Sequence, residues 1–143
     1  MAEKDDKSAF YTLKGYALTE EAHITAAMED YLEMIMRLSR EDSVVRITRL
    51  AERLNVRPSS ASKMVANLKN WGLVDNVPYG MITLTEKGRE TGEYLLMRHE
   101  VLSRFLCYIN GSDNELAQVE KLEHFFERQT ILNISKFLDR VGG

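Results

Sequence analysis

Apolar residues recur at helical spacing through most of this chain. Over 24–40, Ile24, Met28, Tyr31, Ile35 and Leu38 return every three or four positions and predict an amphipathic helix. Over 46–54, Ile47, Leu50, Ala51 and Leu54 predict a second, shorter one. Asn55-Val56-Arg57 then reads as a tight turn, and Pro58 suits the first turn of the next helix, where its missing N–H costs nothing. That helix runs to about Trp71, with Gly72 as a C-cap. The period changes after it: 73–75 and 81–84 are short apolar runs around Asn76-Val77-Pro78-Tyr79-Gly80, which predicts a small β-hairpin. Thr85 is a good N-cap for a long helix reaching Ile109. Ser112-Asp113-Asn114-Glu115 reads as a capping box before another helix, and a last helix is expected over 130–141.

Helix, helix, tight turn, helix, hairpin, long helix is the order of a winged helix-turn-helix. The expected fold class is mainly α. It comprises an N-terminal extension over 1–24, a winged helix-turn-helix DNA-binding domain over 25–88 and an all-helical dimerisation domain over 89–143. In a helix-turn-helix the second helix of the pair enters the major groove. Here that helix points Ala61, Met64, Val65 and Leu68 inward and Ser59, Ser62, Lys63, Ala66 and Asn70 outward. Small hydroxyl residues near its start allow close approach to a phosphate, which the amide-rich helix end favours. The expected DNA contacts are Arg57, Ser59, Ser60, Ser62, Lys63 and Lys69, with Tyr79 at the wing tip.

Charge changes that picture less than its total implies. The chain carries 19 Lys+Arg against 22 Asp+Glu, a net −3, which alone argues against nucleic acid. Over 46–70, however, Arg46, Arg49, Arg53, Arg57, Lys63 and Lys69 face only Glu52, a local +5 that suits phosphates. The remaining composition is that of an ordinary globular chain of 143 residues, with little room for a separate enzymatic module. Its single cysteine, Cys107, excludes an internal disulfide framework and any Cys-rich metal site. The N-terminus lacks the apolar region of a secretory signal, and no run is long enough to span a bilayer, so a cytoplasmic protein is expected. No Ser/His/Asp or Cys/His arrangement and no phosphate-cradling Gly-rich loop appears, so no enzyme is expected.

A second signal is a set of hard ligands. Asp30 and Glu33 stand at i,i+3 on the first helix, on the side away from its apolar stripe. Glu120, Glu123 and His124 stand at i, i+3, i+4 and would project from one helical face. His99 falls on the apolar stripe of the long helix with Leu95, Leu102 and Leu106. Each group alone also fits a bland role: the acidic pairs a solvated face, with Arg37 or Lys121 to neutralise it, and His99 a satisfied core histidine. Four carboxylates and two imidazoles suit one or two divalent cations only where they converge.

At these residues the chain resembles the diphtheria toxin repressor family, most closely its manganese transport regulator branch. The matching segments are Met28-Glu-Asp-Tyr-Leu-Glu33, Val56-Arg-Pro-Ser-Ser-Ala-Ser-Lys-Met64 and Ile82-Thr-Leu-Thr-Glu-Lys-Gly88. They continue with Arg98-His-Glu-Val-Leu102 and Val119-Glu-Lys-Leu-Glu-His124. The resemblance implies a metal-activated repressor that binds a palindromic operator as a homodimer and controls manganese uptake genes. It implies Asp30, Glu33, His99, Glu120, Glu123 and His124 as metal ligands. Oxygen donors at Asp30 and Glu120, where the iron-responsive branch places Met and Cys, point to Mn²⁺, one or two per subunit. Fe²⁺, Zn²⁺ or Cd²⁺ would substitute in vitro. The extension before Thr25 is longer than a minimal member requires, and the SH3-like third domain of larger members is not expected. The rival reading is a winged-helix regulator answering to an organic ligand, with no functional metal site. A ferritin-like di-metal enzyme would want Glu-x-x-His on two helices, and that spacing occurs only at Glu20 to His23.

Overall fold

The computed structural model describes Thr12 and residues 24–142, so the extension and its Glu20–His23 pair lie outside the described residues. Helix α1 spans Ala26–Glu41. Thr25 caps it, its Oγ1 accepting from the Met28 amide at 3.1 Å, and Met28, Tyr31, Leu32, Ile35 and Leu38 are buried along its inner face. Helix α2, Ile47–Leu54, ends where Asn55 turns left-handed at φ 55°, and Pro58 opens helix α3, Pro58–Asn70. Ala61, Val65 and Leu68 of α3 are buried, while Ser59, Ser62, Lys63, Ala66 and Asn70 face outward, as their spacing predicts. Beyond the Trp71 cap, Gly72 takes φ 75° and turns the chain into the wing.

The wing differs from a simple hairpin. Val74 bridges Leu84 and the Asp75 amide donates to the Thr83 carbonyl at 2.9 Å, but the pairing goes no further toward the tip. Strand β2, Met81–Ile82, instead pairs antiparallel with strand β1, Val45–Arg46, between α1 and α2. The register sets Val45 opposite Ile82, both buried, whereas continuing the hairpin would set Ile82 opposite polar Asn76. The tip is the 3-10 turn Pro78–Gly80, in which Tyr79 adopts φ 54° and is 92% exposed.

Thr85 caps helix α4, Glu86–Asn110, accepting from the Gly88 amide at 3.0 Å and donating to the Gly72 carbonyl at 2.6 Å. Gly88 is required there, because a Cβ would lie 1.9 Å from the Leu73 carbonyl oxygen. With 25 residues, α4 belongs to two cores. Its first half delivers Leu95 to the core built by α1–α3 and the wing, and Gly92 admits the Met36 side chain. Its second half delivers Val101, Leu102 and Leu106 to a smaller core with Val119, Ile131 and Leu138. Arg98 and His99 sit at the seam between the two.

The end of the chain folds as helix α5, Leu116–Leu122, a 3-10 turn over Glu123–Phe125 and helix α6, Arg128–Val141. The expected capping box does not form. Ser112 is drawn into the end of α4, its amide donating to the Cys107 carbonyl at 3.1 Å, so it stands too early to cap α5. Its hydroxyl donates to Glu115 at 2.6 Å, and Asn114 instead accepts from the Leu116 amide at 3.0 Å.

Candidate metal centre

Two elements from different halves of the chain meet against α4. From one side α1 presents Glu29, Asp30 and Glu33; from the other the turn after α5 presents Glu123 and His124. Of Glu120, Glu123 and His124, expected on one helical face, Glu120 stands on α5, which ends at Leu122, while Glu123 and His124 fall in the 3-10 turn that follows directly. Glu120 is left exposed on the helix, whereas Glu123 is 1% exposed. Glu33 departs from expectation in the same direction. Predicted on the solvated side of α1, it is buried at 8% exposure against α4.

These shifts bring five of the six expected ligands together. His99 Nδ1 lies 3.0 Å from Glu123 Oε2 and 3.6 Å from Glu33 Oε1. His124 Nε2 lies 3.2 Å from Asp30 Oδ1. One donor atom each from Glu33, His99 and Glu123 falls within a mutual 4.8 Å, and so does one each from Asp30, Glu123 and His124. Glu123 is common to both triads. Glu120 belongs to neither, yet it lines the same cavity of about 430 Å³ with Asp30, Glu33, His99 and Glu123. Cys107 is not among the residues lining that cavity.

Electrostatics follow from burying so many carboxylates. Burial, and then repulsion from Glu123, pushes the Glu33 carboxyl up, although Arg37 donates to it at 3.0 Å. The hydrogen bond to Glu123 raises His99 against its own burial, with Glu33 adding to the rise. The contact with Asp30, then that with Glu29, lifts His124 from 6.5 to about 9. Among the described residues, Arg37 and Arg98 supply fixed positive charge to Glu33 and Glu29, and both imidazoles are held more basic than usual by the carboxylates they meet. The donors are carboxylate oxygens and imidazole nitrogens with no thiolate, a set that fits a hard or borderline divalent cation.

Two participants are missing from the sequence-level reading. Glu29 Oε1 lies 2.9 Å from His124 Nδ1, and Arg98, only 3% exposed, donates to both Glu29 oxygens at 3.3 Å. Burial alone would raise the Glu29 carboxyl, but His124 and Arg98 outweigh it and hold it below the ordinary value. The available signal was the adjacency of Glu29-Asp30 on one helix and Arg98-His99 on another, two neighbouring pairs of complementary charge.

The expected DNA surface lies elsewhere. Arg57, Ser59, Ser60, Ser62, Lys63, Lys69 and Tyr79 are all exposed. The basic segment is less available than its +5 implies, since Arg53 pairs with Glu41 at 3.1 Å and Arg49 lies 3.9 Å from Glu52. Arg57, Lys63 and Lys69 make no ion pair among the described residues. None of the described helices is long and apolar enough to cross a membrane.

Residues 23–82 match the family model for the iron dependent repressor N-terminal DNA binding domain, and residues 85–142 the model for that family's metal binding and dimerisation domain. The HTH-type transcriptional regulator MntR of Oceanobacillus iheyensis is 38% identical over 119 residues, covering 82% of this chain and 76% of that protein. Among solved structures, the metal-dependent transcriptional regulator MtsR matches with a TM-score of 0.72 at 25% identity, over 81% of this chain and 55% of its own. A manganese-dependent transcriptional repressor in complex with manganese matches with a TM-score of 0.64 at 30% identity, over 78% of this chain and 52% of its own. This chain therefore spans about half the length of those two structures.

Proposed function

The chain belongs to the iron dependent repressor family of transcriptional regulators, and on that premise we propose that it is an Mn²⁺-activated repressor binding a palindromic operator as a cytoplasmic homodimer. The observation that carries this reading is Glu123, a fully buried carboxylate shared by two donor triads that join α1 to α4 and the turn after α5. Such a group is costly unless it is paired, and its partner at 3.0 Å is His99, itself one of the proposed ligands, so both would turn to a bound cation together. Asp30, Glu33, His99, Glu123 and His124 are the proposed ligands, with Glu120 on the exposed side of the cavity. A bound divalent cation would supply the charge that offsets the repulsion among these carboxylates. Affinity alone does not select Mn²⁺, which stands at the weak end of the divalent series, but a ligand set of carboxylates and imidazoles without a thiolate favours it over thiophilic metals. The cavity wall is mostly charged, with Met34, Leu54 and Leu116 its apolar members, which favours an ion over an organic ligand.

The residues themselves state what activation requires. Asp30 and Glu33 ride on the helix that supports the DNA-binding half, while His99, Glu123 and His124 belong to the half that matches the dimerisation domain. Holding the two sets together fixes how the α3 helices of a dimer are spaced, and half-site spacing is a geometric property of such dimers. The shift is limited to the difference in metal affinity between the DNA-competent state and the others. The test is a fluorescence-anisotropy titration on duplexes selected from a random-sequence pool, with Mn²⁺, Fe²⁺, Zn²⁺ or chelator. Mn²⁺ is expected to tighten binding severalfold or more; equal affinity with Mn²⁺ and with chelator overturns the reading. Regulation of manganese uptake genes is part of the proposal, and loss of Mn²⁺-dependent control of those genes on deletion is its check.

A further inference from the structure

Glu29 and Asp30 are neighbours on α1, about 100° apart around its axis, and they flank the His124 imidazole. Nδ1 lies 2.9 Å from Glu29 Oε1 and Nε2 lies 3.2 Å from Asp30 Oδ1. The two carboxylates are held differently. Asp30 is more than half exposed, whereas Glu29 is gripped by both terminal nitrogens of Arg98, each at 3.3 Å. Arg98 makes that grip although its Nε is buried with no partner among the described residues. An arginine does not give up its proton in a protein, so Glu29 beside it stays ionised, and an ionised carboxylate only accepts hydrogen bonds. Nδ1 of His124 must then be the donor, and it keeps its proton.

Resting on the metal-dependent reading above, we infer that Glu29, pinned by the buried Arg98, is a positioning residue that fixes the tautomer of His124 and turns its Nε2 toward Asp30 and Glu123. Carboxylates that orient a metal-ligating histidine through its other nitrogen serve this role generally. The DNA-binding half would thereby do more than lend Asp30 and Glu33; it would also aim a ligand belonging to the other half. One contact argues for the opposite tautomer. Arg98 Nη2 comes within 3.5 Å of Nδ1, and a guanidinium bonding there would need that nitrogen unprotonated. The carboxylate contact is shorter by more than half an ångström, and it decides the assignment.

The experiment uses the full chain with ¹⁵N-labelled histidine, the His124 signals being identified by their loss in His124→Gln. On loading with diamagnetic Cd²⁺, the ring proton on Nδ1 is expected to persist while Nε2 loses its own. In Mn²⁺ titrations, Glu29→Leu is expected to bind about 10- to 100-fold more weakly. Glu29→Gln, which retains an oxygen acceptor, is expected to keep the Nδ1 proton and stay within a few-fold of wild type. A loaded protein with its proton on Nε2, or Glu29→Leu with wild-type affinity and an intact Nδ1 proton, overturns the inference alone. Wild-type protein that takes up neither Cd²⁺ nor Mn²⁺ overturns the repressor reading and this inference with it.

Discussion

The DNA-binding half and the C-terminal half place their charge on opposite sides of their cores. The first closes around Leu32, Ile35, Leu38, Leu50, Val65 and Leu68 and turns Arg57, Lys63 and Lys69 to solvent. The second has the smaller core of Val101, Leu102, Leu106, Val119, Ile131 and Leu138, and leaves Tyr108, Ile109, Leu116, Phe125, Leu132 and Val141 exposed. Its special charges, His99, Glu123 and His124, point inward to the seam with α1. On the function proposed above, the difference follows from the partner each surface would address. A DNA backbone is long and external, so its contacts need only an exposed face. A divalent cation needs several donors within a few ångströms, so its contacts must converge and be partly dehydrated. The exposed apolar set lies in the half that matches the family's dimerisation domain, which makes it the candidate contact of the proposed dimer.

Glu123 offers the strongest way to break this contrast. Replacing the shared carboxylate in Glu123→Ala is expected to weaken Mn²⁺ binding by more than the ~10- to 100-fold that an outer-shell change costs. The rise in melting temperature expected of wild type on adding Mn²⁺ should be absent, as thermal unfolding with and without the ion would read. A variant that still responds fully to Mn²⁺ would remove Glu123 from its central place.

Next in size is a paired test of the two cores. Leu68→Ala, at a fully buried site, should cost about 2–5 kcal/mol in denaturant unfolding. Phe125→Ser, at a site 65% exposed, should stay within about 0.5 kcal/mol at the level of the single chain. It should instead shift the monomer–dimer balance seen in sedimentation, and an unchanged balance would take Phe125 out of any dimer contact.

A smaller effect tests the outer charges. Lys63→Ala should weaken binding to selected duplexes about equally across sequences and lower the salt slope by about one. Mn²⁺ affinity in calorimetry should stay at the wild-type value, because Lys63 belongs to neither triad and does not line their cavity. A coupled loss of metal affinity would blur the division between the halves.

A last expected effect is a pH dependence of the metal-free protein. His124 titrates near 6.5 when unfolded and at about 9 when folded. A folded pKa raised above the unfolded one contributes stability that is complete below about 6.5 and lost as pH rises through about 9. In chelator, the melting temperature of wild type should therefore fall across that window more steeply than that of His124→Gln. Parallel curves would show that the imidazolium adds nothing to the fold.

Much of the architecture was legible from local physics. Thr25, Pro58 and Thr85 mark helix starts by chemistry that acts within one turn, and the apolar period of α1–α4 marks their inner faces. Where local rules failed, a longer-range partner prevailed. Met81–Ile82 left the hairpin because Val45 offered a buried apolar neighbour, and Ser112 was taken by the end of α4 before it could cap α5. The site was legible by residue type and opaque in arrangement. Glu120 was expected to stand with Glu123 and His124; it lines one cavity with Glu123 but belongs to neither triad. Glu29 and Arg98 were visible only as neighbours of better-known positions.

The sequence by itself determined the order of elements, the outward basic face of α3 and a donor set of carboxylates and imidazoles, because each depends on periodicity or composition over a few turns. Only the tertiary structure decided that Glu33 and Glu123 are buried, that His99 lies between them, and that Arg98 secures Glu29 against His124. Those facts join residues up to 95 positions apart. They depend on how α1 and the turn after α5 dock side by side against α4, and spacing along the chain carries no record of that docking.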